Sequence, residues 1–179
     1  MKIAINGFGR IGRLVYRLMK EDDFFDVVAI NDLSSSEELA YLLRYDTNHR
    51  TYDKDITFDE EDIIVDGKKT RVYSEMDPSN LPWGELGIDL VFECTGKFTK
   101  KEDANKHILA GAKKVLISAP GKGDMKTIVY NVNDDILTGE EEVLIEGANH
   151  QSSTFEKLNL NETYEVAVID EIQMIGDSQ

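Results

Sequence analysis

The sequence predicts an α/β fold with a doubly wound parallel sheet, to which a C-terminal tail containing one more strand is added. Short apolar strand patterns alternate with helical patterns along residues 1–143, an order typical of a parallel sheet covered by helices. A glycine-rich turn, NGFGRIG, joins the first strand pattern to the first helical pattern. Residues 139–179 hold one lysine against ten acidic residues, so the composition changes abruptly where the tail begins.

Length and composition set the broad class of the protein. The 179 residues, 41% of them hydrophobic, suffice for one domain with its own core. No stretch approaches the roughly 18 apolar residues of a membrane helix, and a net charge of −15 disfavours nucleic-acid binding. Cys94 is the single cysteine, which excludes an intramolecular disulfide and a multi-cysteine metal site. We therefore expect a soluble cytoplasmic protein without a membrane or nucleic-acid partner.

The first elements follow from hydrophobic periodicity. The pattern predicts strands at Lys2–Ile5 and Val27–Ile30, with a helix over Ile11–Lys20 between them. The apolar positions of that helix are expected on one buried face: Ile11, Leu14, Val15 and Leu18. Ser35 and Glu38 fit a capping box for a second helix that runs to about Tyr45.

Turn and cap signals place the later elements. Asp66-Gly67 lies between two β-rich runs, as in a hairpin turn, and IDLVFECTG predicts a buried strand that carries Cys94. Thr99 with Glu102 is expected to cap a helix that ends at Gly111. Further strands are predicted at Val115–Ser118, Thr127–Tyr130 and Val143–Ile145.

The glycine-rich turn predicts a dinucleotide site. Gly7-x-Gly9-x-x-Gly12 follows a strand and opens a helix, so a tight turn, close backbone approach to a pyrophosphate and close helix packing are combined. Asp32 follows 20 residues after Gly12, where an acid accepts hydrogen bonds from ribose hydroxyls and repels a 2′-phosphate. The pattern therefore predicts NAD rather than NADP; the alternative is that Asp32 only ends a strand.

Longer stretches carry a resemblance to a known family. KIAINGFGRIGRLVYR, VVAINDL, YLLRYDTNH, LPWGELGIDLVFECTGKFT, AGAKKVLISAP and VYNVNDDILTGEE resemble the NAD-binding half of glyceraldehyde-3-phosphate dehydrogenases over residues 1–143. The resemblance implies a Rossmann domain over this range. It also implies cofactor contacts at the turn residues Gly7, Gly9, Arg10, Ile11 and Gly12, the adenosine residues Asn31 and Asp32, the adenine-side residues Arg71 and Glu75, and Thr95, Gly96, Ser118 and Ala119 toward the nicotinamide.

The family's nucleophile has no counterpart where it is expected. In the family, TGEE leads into a Ser-Cys-Thr-Thr-Asn segment whose cysteine forms a thioester, whereas here EGANHQSST follows. Asn149, or His150 if one residue is inserted, takes that position, and neither can form a thioester. Cys94 is expected to be structural, and His49 and His107 to be ordinary residues.

The expected function follows from this loss. We predict an NAD-binding protein with no catalytic residue and no aldehyde oxidation, because the substrate domain has no counterpart either. Two alternatives remain: a residual oxidoreductase that acts with a partner chain, and a module for protein or nucleic-acid interaction.

The tail carries a second resemblance. Residues 138–179 resemble part of the first motor domain of RNA helicases of the mitochondrial-degradosome type, with Val166–Ile169 as a buried strand that leads into Asp170-Glu171-Ile172-Gln173, the Walker B position. The alternative is a buried strand followed by two solvated acids. The chain has no G-x-x-x-x-G-K-[ST] phosphate loop, so neither ATPase nor helicase activity is expected.

These two resemblances share Thr138–Glu141, which predicts a fusion. We expect a domain over 1–143 and a tail over 144–179 that is not a domain by itself. Val166–Ile169 is expected to join the sheet or to pair between subunits, which would give a homodimer or higher homo-oligomer.

Overall fold

The structure is a computed structural model, described here for residues 1–46, 50–122, 125, 127–128 and 143–146. The helices are α1 (Arg10–Met19), α2 (Ser36–Arg44), α3 (Trp83–Leu86) and α4 (Lys101–Leu109). The strands are β1 (Lys2–Asn6), β2 (Asp26–Asn31), β3 (Tyr45–Asp46), β4 (Arg50–Thr51), β5 (Ile56–Phe58), β6 (Asp62–Val65), β7 (Lys68–Tyr73), β8 (Leu90–Glu93), β9 (Lys114–Ile117), β10 (Thr127–Ile128) and β11 (Val143–Glu146).

The main sheet has the order β10-β11-β9-β8-β1-β2-β7-β6-β5. The pairs from β10 to β7 are parallel, and β6 and β5 continue the sheet antiparallel. From β1 the chain builds outward through β2 and β7, then returns to the other side of β1 with β8 and β9. The predicted doubly wound α/β fold is confirmed. The order reverses between β1 and β8, the place where such folds bind ligands.

The buried face of α1 differs from the predicted one. Leu14 and Val15 are buried, but Ile11 is 37% exposed and Leu18 is only half-buried. The face instead includes Tyr16 and Met19, together with two arginines. Arginine can cover apolar surface with its stem while its guanidinium group bonds elsewhere.

The two buried arginines of α1 bond to main-chain oxygen atoms. Arg13 Nη1 donates to the carbonyl of Phe8 at 3.1 Å, and Arg17 Nη2 donates to the carbonyl of Leu43. Arg13 thereby connects the helix to the turn that precedes it. Apolar spacing alone could not predict that these charged positions are buried.

Of the predicted caps, one is wrong. Ser35 and Glu38 form the reciprocal capping box, as predicted. The fourth helix, however, begins after Lys100, and Thr99 does not cap it. Thr99 instead accepts a backbone hydrogen bond from Lys122 at 2.8 Å, which connects the loops after β8 and β9.

The two predicted glycine turns are present. Asp66 and Gly67 have φ angles of 49° and 78°, so both central residues of the hairpin between β6 and β7 are left-handed, as in a type I′ turn. Gly111, at φ 101°, follows α4, and Gly111 and Ala112 donate to the carbonyls of Ile108 and His107. This is the Schellman arrangement that ends a helix.

Several predictions lie partly or wholly outside the described residues. The predicted strand at Val143–Ile145 is observed as β11, and the one at Thr127–Tyr130 is observed at Thr127–Ile128. His49, His150 and the predicted strand Val166–Ile169 lie outside that range. Within it, none of the helices is long and apolar enough to cross a membrane.

Candidate functional site

A cleft of about 540 Å³ opens at the carboxyl ends of β1, β2 and β8. Its position is the one that the strand order predicts for a ligand site. The cleft is lined by Asn6, Gly7, Gly9, Asn31, Asp32, Leu33, Glu75, Met76, Cys94, Thr95, Lys97 and Phe98.

The turn after β1 admits only glycine at two of its positions. Gly7 has a φ of 90°, and a β carbon there would lie 2.7 Å from Cγ2 of Thr95. A β carbon at Gly12 would overlap the carbonyl oxygen of Gly7. The first and third glycines thus let the turn pack against the Thr95 turn and against its own helix.

Gly9 has a different reason to be glycine. It is the N-cap of α1, its φ is an ordinary −70°, and none of the described side chains caps this helix. Among residues 1–46, 50–122, 125, 127–128 and 143–146, no atom lies within 4 Å of the position that its β carbon would take. An anion can therefore approach the N-terminus of α1 at Gly9, where the N–H groups of the first turn and the positive end of the helix dipole favour a phosphate.

Asp32 lies on the cleft wall at the end of β2. Its Oδ2 accepts a hydrogen bond from the backbone N–H of Phe8 at 2.7 Å, and its Oδ1 accepts one from Ser34 at 3.1 Å. Each carboxylate oxygen can accept a second hydrogen bond. The carboxylate is therefore held in place with acceptor capacity left for the hydroxyl groups of a ligand.

Asn31 connects β2 to the other side of the cleft. Its Oδ1 accepts from the backbone N–H of Glu75 at 2.8 Å, and its Nδ2 donates to the Glu75 carbonyl at 2.9 Å and to Asn6 Oδ1 at 2.7 Å. Both N–H donors of the amide are thus used within the protein. Asn31 lines the cleft and fixes the position of Glu75.

Sequence reasoning missed a buried polar cluster beneath the cleft. Glu93 and His107 are both fully buried, and Glu93 Oε2 lies 3.0 Å from His107 Nε2. The sequence prediction that His107 is an ordinary residue did not include its burial or its contact with an acidic side chain. The one available signal was an acidic residue at the end of the apolar run LVFE, since buried acids occur almost always with partners.

The remaining predicted residues lie at or beyond the edge of the cleft. Arg10, Ile11 and Gly96 are exposed beside it, and Ser118 Oγ donates to the Glu93 carbonyl at 3.1 Å. Ala119 is half-buried after β9.

Arg71 points to a different part of the molecule. Its Nη1 lies 2.6 Å from Glu61 Oε2, and the hydrogen bond that it donates to Glu61 is the main reason why the pKa of Arg71 is raised. It is not among the residues that line the cleft.

Cys94 does not lie within a buried strand as predicted. The strand β8 ends at Glu93, so Cys94 follows it, is half-buried and lines the cleft. Its backbone N–H donates to the Asn6 carbonyl at 2.7 Å. Among the described residues, no group of histidine, cysteine or acidic side chains is arranged to hold a metal ion.

Comparisons with known proteins place these features in a family. A family model described as "Glyceraldehyde 3-phosphate dehydrogenase, NAD binding domain" matches residues 1–101. This range contains the glycine turn, Asp32, Glu75 and the Thr95 turn, and thus every residue that lines the cleft.

Relatives extend the similarity beyond that range. Glyceraldehyde-3-phosphate dehydrogenase from Clostridium pasteurianum is 55% identical over 143 residues, which is 80% of this chain and 43% of the relative. The Chlamydia pneumoniae protein is 51% identical over 150 residues, 83% and 45% of the two chains. The Lactobacillus delbrueckii subsp. bulgaricus protein is 47% identical over 174 residues, 94% and 52%. The chain thus spans about half the length of the relatives it matches.

A second family model matches the remainder of the chain. It is described as the DEXQ-box helicase domain of Suv3, and it matches residues 102–179. The two similarities overlap, because the alignments with the dehydrogenases cover 80% to 94% of this chain and the match to the helicase model begins at residue 102.

Proposed function

This chain belongs to the family of glyceraldehyde 3-phosphate dehydrogenase NAD-binding domains, and we propose that it binds NAD in the cleft at the ends of β1, β2 and β8 without oxidising an aldehyde by itself. NAD is the cofactor of this family of domains. The observation that supports the proposed position is that, in the described part of the chain, the space at Gly9 is open and no side chain caps the helix N-terminus there.

The fit of the cofactor follows from its chemistry. The pyrophosphate would lie against the first turn of α1 at Gly9, where N–H groups and the helix dipole favour an anion. The ribose hydroxyls of the adenosine would donate to the Asp32 carboxylate, which the N–H groups of Phe8 and Ser34 hold in place. The nicotinamide end would extend toward Thr95 and Phe98. When bound, NAD supplies a group that accepts hydride.

The absence of aldehyde oxidation is part of this proposal. Cys94 is the one cysteine in the sequence, and it lies at the base of the cleft, with its backbone bonded to Asn6. A thioester needs a cysteine that is exposed to the aldehyde and activated by a base. A partner chain that supplies such a cysteine is the alternative, and it is motivated by the chain's spanning about half of its relatives' length.

Titration of the full chain tests both parts. Calorimetric titration with NAD is expected to saturate, and the absence of binding at millimolar NAD would refute the proposal. Glyceraldehyde 3-phosphate with NAD and phosphate is expected to give no NADH absorbance with the chain alone. NADH formation by the pure chain would refute the proposed inactivity, and faster NADH formation by a mixture of the chain and a full-length relative than by that relative alone would favour the partner alternative.

The origin of residues 138–179 is a second proposal. We propose that the chain is a fusion whose C-terminal part derives from a helicase of the DEXQ-box class, supported by the match over residues 102–179 and by the acidic composition of residues 139–179. Sequencing of the transcript tests it. A dehydrogenase reading frame that continues past residue 141 in the same transcript would contradict the fusion.

Self-association and a cytoplasmic location complete the proposal. Tyr41, Tyr45 and Phe58 are 64%, 50% and 47% exposed around a groove of about 320 Å³, and apolar surface of this kind favours contact between subunits. A single cysteine suits a reducing compartment. Light scattering after size exclusion is expected to give a dimer or larger; a monomer at micromolar concentration would contradict this.

A further inference from the structure

The cleft has two walls that come from different parts of the chain. One wall is the segment after β7, with Glu75 and Met76, and the other is the turn after β8, with Thr95 and Lys97. A ligand that reaches across the cleft touches both walls, so its affinity depends on how the protein holds them before it binds. A series of buried, hydrogen-bonded side chains connects the two walls beneath the cleft.

This series of hydrogen-bonded side chains begins at Glu75. The side chain of Asn31 makes two hydrogen bonds to the backbone of Glu75, and its Nδ2 also donates to Asn6 Oδ1 at 2.7 Å. Asn6 and Asn31 are 1% and 5% exposed. Since Asn6 Oδ1 is an acceptor, its Nδ2 is the donor that points onward, and it donates to Glu93 Oε2.

Glu93 connects this series of hydrogen bonds to the second wall. Its Oε1 accepts from the backbone N–H of Thr95 at 2.8 Å and from the Thr95 hydroxyl. Its Oε2 accepts from Asn6 and, at 3.0 Å, from His107 Nε2. A buried carboxylate costs much free energy unless donors surround it, and four donors do so here.

Trp83 sets the direction of the His107 bond. The indole N–H can only donate, and it donates to His107 Nδ1 at 3.0 Å. His107 Nδ1 therefore carries a lone pair, the ring proton is on Nε2, and Nε2 donates to Glu93. All three side chains are fully buried, and neither Trp83 nor Glu93 lines the cleft.

Three of the residues that make these contacts lie at the same edge of the sheet. Asn6, Asn31 and Glu93 are the last residues of three adjacent parallel strands, β1, β2 and β8, so their side chains meet under the floor of the cleft. We propose that Glu93 is a positioning residue for the nucleotide: held by Asn6 and by His107 in the tautomer that Trp83 selects, it fixes the Thr95 wall relative to the Glu75 wall. This inference rests on the proposed NAD binding.

The test compares ligands of two lengths. AMP reaches only the adenosine end, at Asp32 and the Glu75 wall, whereas ADP-ribose and NAD extend to the Thr95 wall. Glu93→Gln replaces one acceptor oxygen by an amide that faces donors. In calorimetric titrations of the full chain, we expect E93Q to weaken NAD and ADP-ribose about tenfold and to leave AMP binding unchanged.

Two further variants separate positioning from stability. Trp83→Phe removes the N–H that selects the tautomer together with part of a fully buried ring system, so we expect a lower melting temperature, a smaller loss in the same direction for NAD and none for AMP. Thr70→Val is the matched control, because Thr70 makes buried hydrogen bonds to Tyr16 Oη at 3.1 Å and to the Val27 carbonyl at 3.0 Å but does not line the cleft. It is expected to lower the melting temperature and to keep all affinities.

The outcomes are distinguishable. Titrations are made at a temperature where circular dichroism shows each variant to be folded; if E93Q does not fold, Trp83→Phe decides. Equal losses of AMP and NAD affinity, or no loss of either, would overturn the positioning role while the proposed function stands. If the wild-type chain itself binds neither NAD nor AMP, the proposed function fails, and the positioning role fails with it.

Discussion

Gly12 lies directly beneath Gly7, so that a β carbon at Gly12 would overlap the carbonyl oxygen of Gly7 and lie 3.1 Å from its carbonyl carbon. Both atoms belong to the backbone and cannot rotate away. We predict that Gly12→Ala displaces the turn, lowers the free energy of unfolding by about 1–3 kcal/mol and abolishes NAD binding. Urea unfolding and NAD titration measure the two effects, and a variant that binds NAD normally would show that the turn tolerates displacement.

Gly9 offers the opposite case in the same turn. Its φ is −70° and its β-carbon position is open space, so Gly9→Ala fits the folded protein without strain. If the pyrophosphate occupies that space, the methyl group displaces it. We predict a melting temperature close to that of the wild type and a loss of NAD affinity. Unchanged affinity would place the pyrophosphate elsewhere.

The contrast between the turn and the buried cluster shows what sequence patterns can predict here. Gly7, Gly9 and Gly12 are close along the chain, so their spacing between a strand pattern and a helical pattern predicts a phosphate-binding turn. Glu93 and Asn6, in contrast, are 87 residues apart, and no local pattern indicates that they meet. The burial of Arg17 on α1 escaped prediction for the same reason, because its acceptor, the carbonyl of Leu43, lies 26 residues away.

The two predicted helix caps differ in the same way. The Ser35 and Glu38 cap was predictable since both partners lie within one turn. Thr99 fitted an equally local pattern, yet it does not cap α4, and its carbonyl bonds to Lys122 on the neighbouring loop. The predicted cap at Thr99 failed because a tertiary contact, which the local sequence does not show, holds this residue elsewhere.

Asp32 is expected to determine the choice between NAD and NADP. Its carboxylate is fixed by two backbone N–H groups, and its negative charge would lie near any 2′-phosphate on the adenosine. We predict that Asp32→Asn weakens NAD and raises the affinity for NADP relative to NAD. Paired titrations measure the ratio, with the exposed Asp53→Asn as a control for net charge. An unchanged ratio would contradict the assigned role.

Gly111 and Gly87 both have positive φ angles, 101° and 67°, but differ in their surroundings. A β carbon at Gly111 would lie 2.5 Å from the Cα of Gly84, whereas no atom of the described residues lies within 4 Å of that position at Gly87. Gly87→Ala should therefore cost only backbone strain, about 1 kcal/mol, and Gly111→Ala about 3 kcal/mol, because overlap is added. Equal losses in urea unfolding would show that α3 and α4 can separate without cost.

Asp89 is expected to make stability depend on pH. Burial raises the pKa of its carboxyl, which is the largest single effect. The hydrogen bonds that Lys113 and the backbone N–H of Lys2 donate to it lower the pKa by more in total, so the net shift is downward. Lys113 Nζ lies 2.6 Å from Oδ1, and the Lys2 N–H 2.8 Å from Oδ2. The carboxylate thereby connects the beginning of β1 to the segment that leads into β9.

The sign of the effect follows from that direction. A carboxyl whose pKa is lower in the folded state stabilises the protein above its unfolded pKa of about 3.9, and this contribution is lost as the pH falls through the folded pKa. At pH 7 we expect Asp89→Asn to reduce the free energy of unfolding by about 1 kcal/mol or less, since the pair is partly exposed. Urea unfolding from pH 7 to pH 3 should show the difference between the two proteins shrinking below about pH 4, whereas Asp23→Asn, which removes an exposed pair with Lys68, should show no such difference. A gap between wild type and Asp89→Asn that persists or widens at pH 3 would mean that Asp89 acts through its shape and hydrogen bonds rather than through its charge.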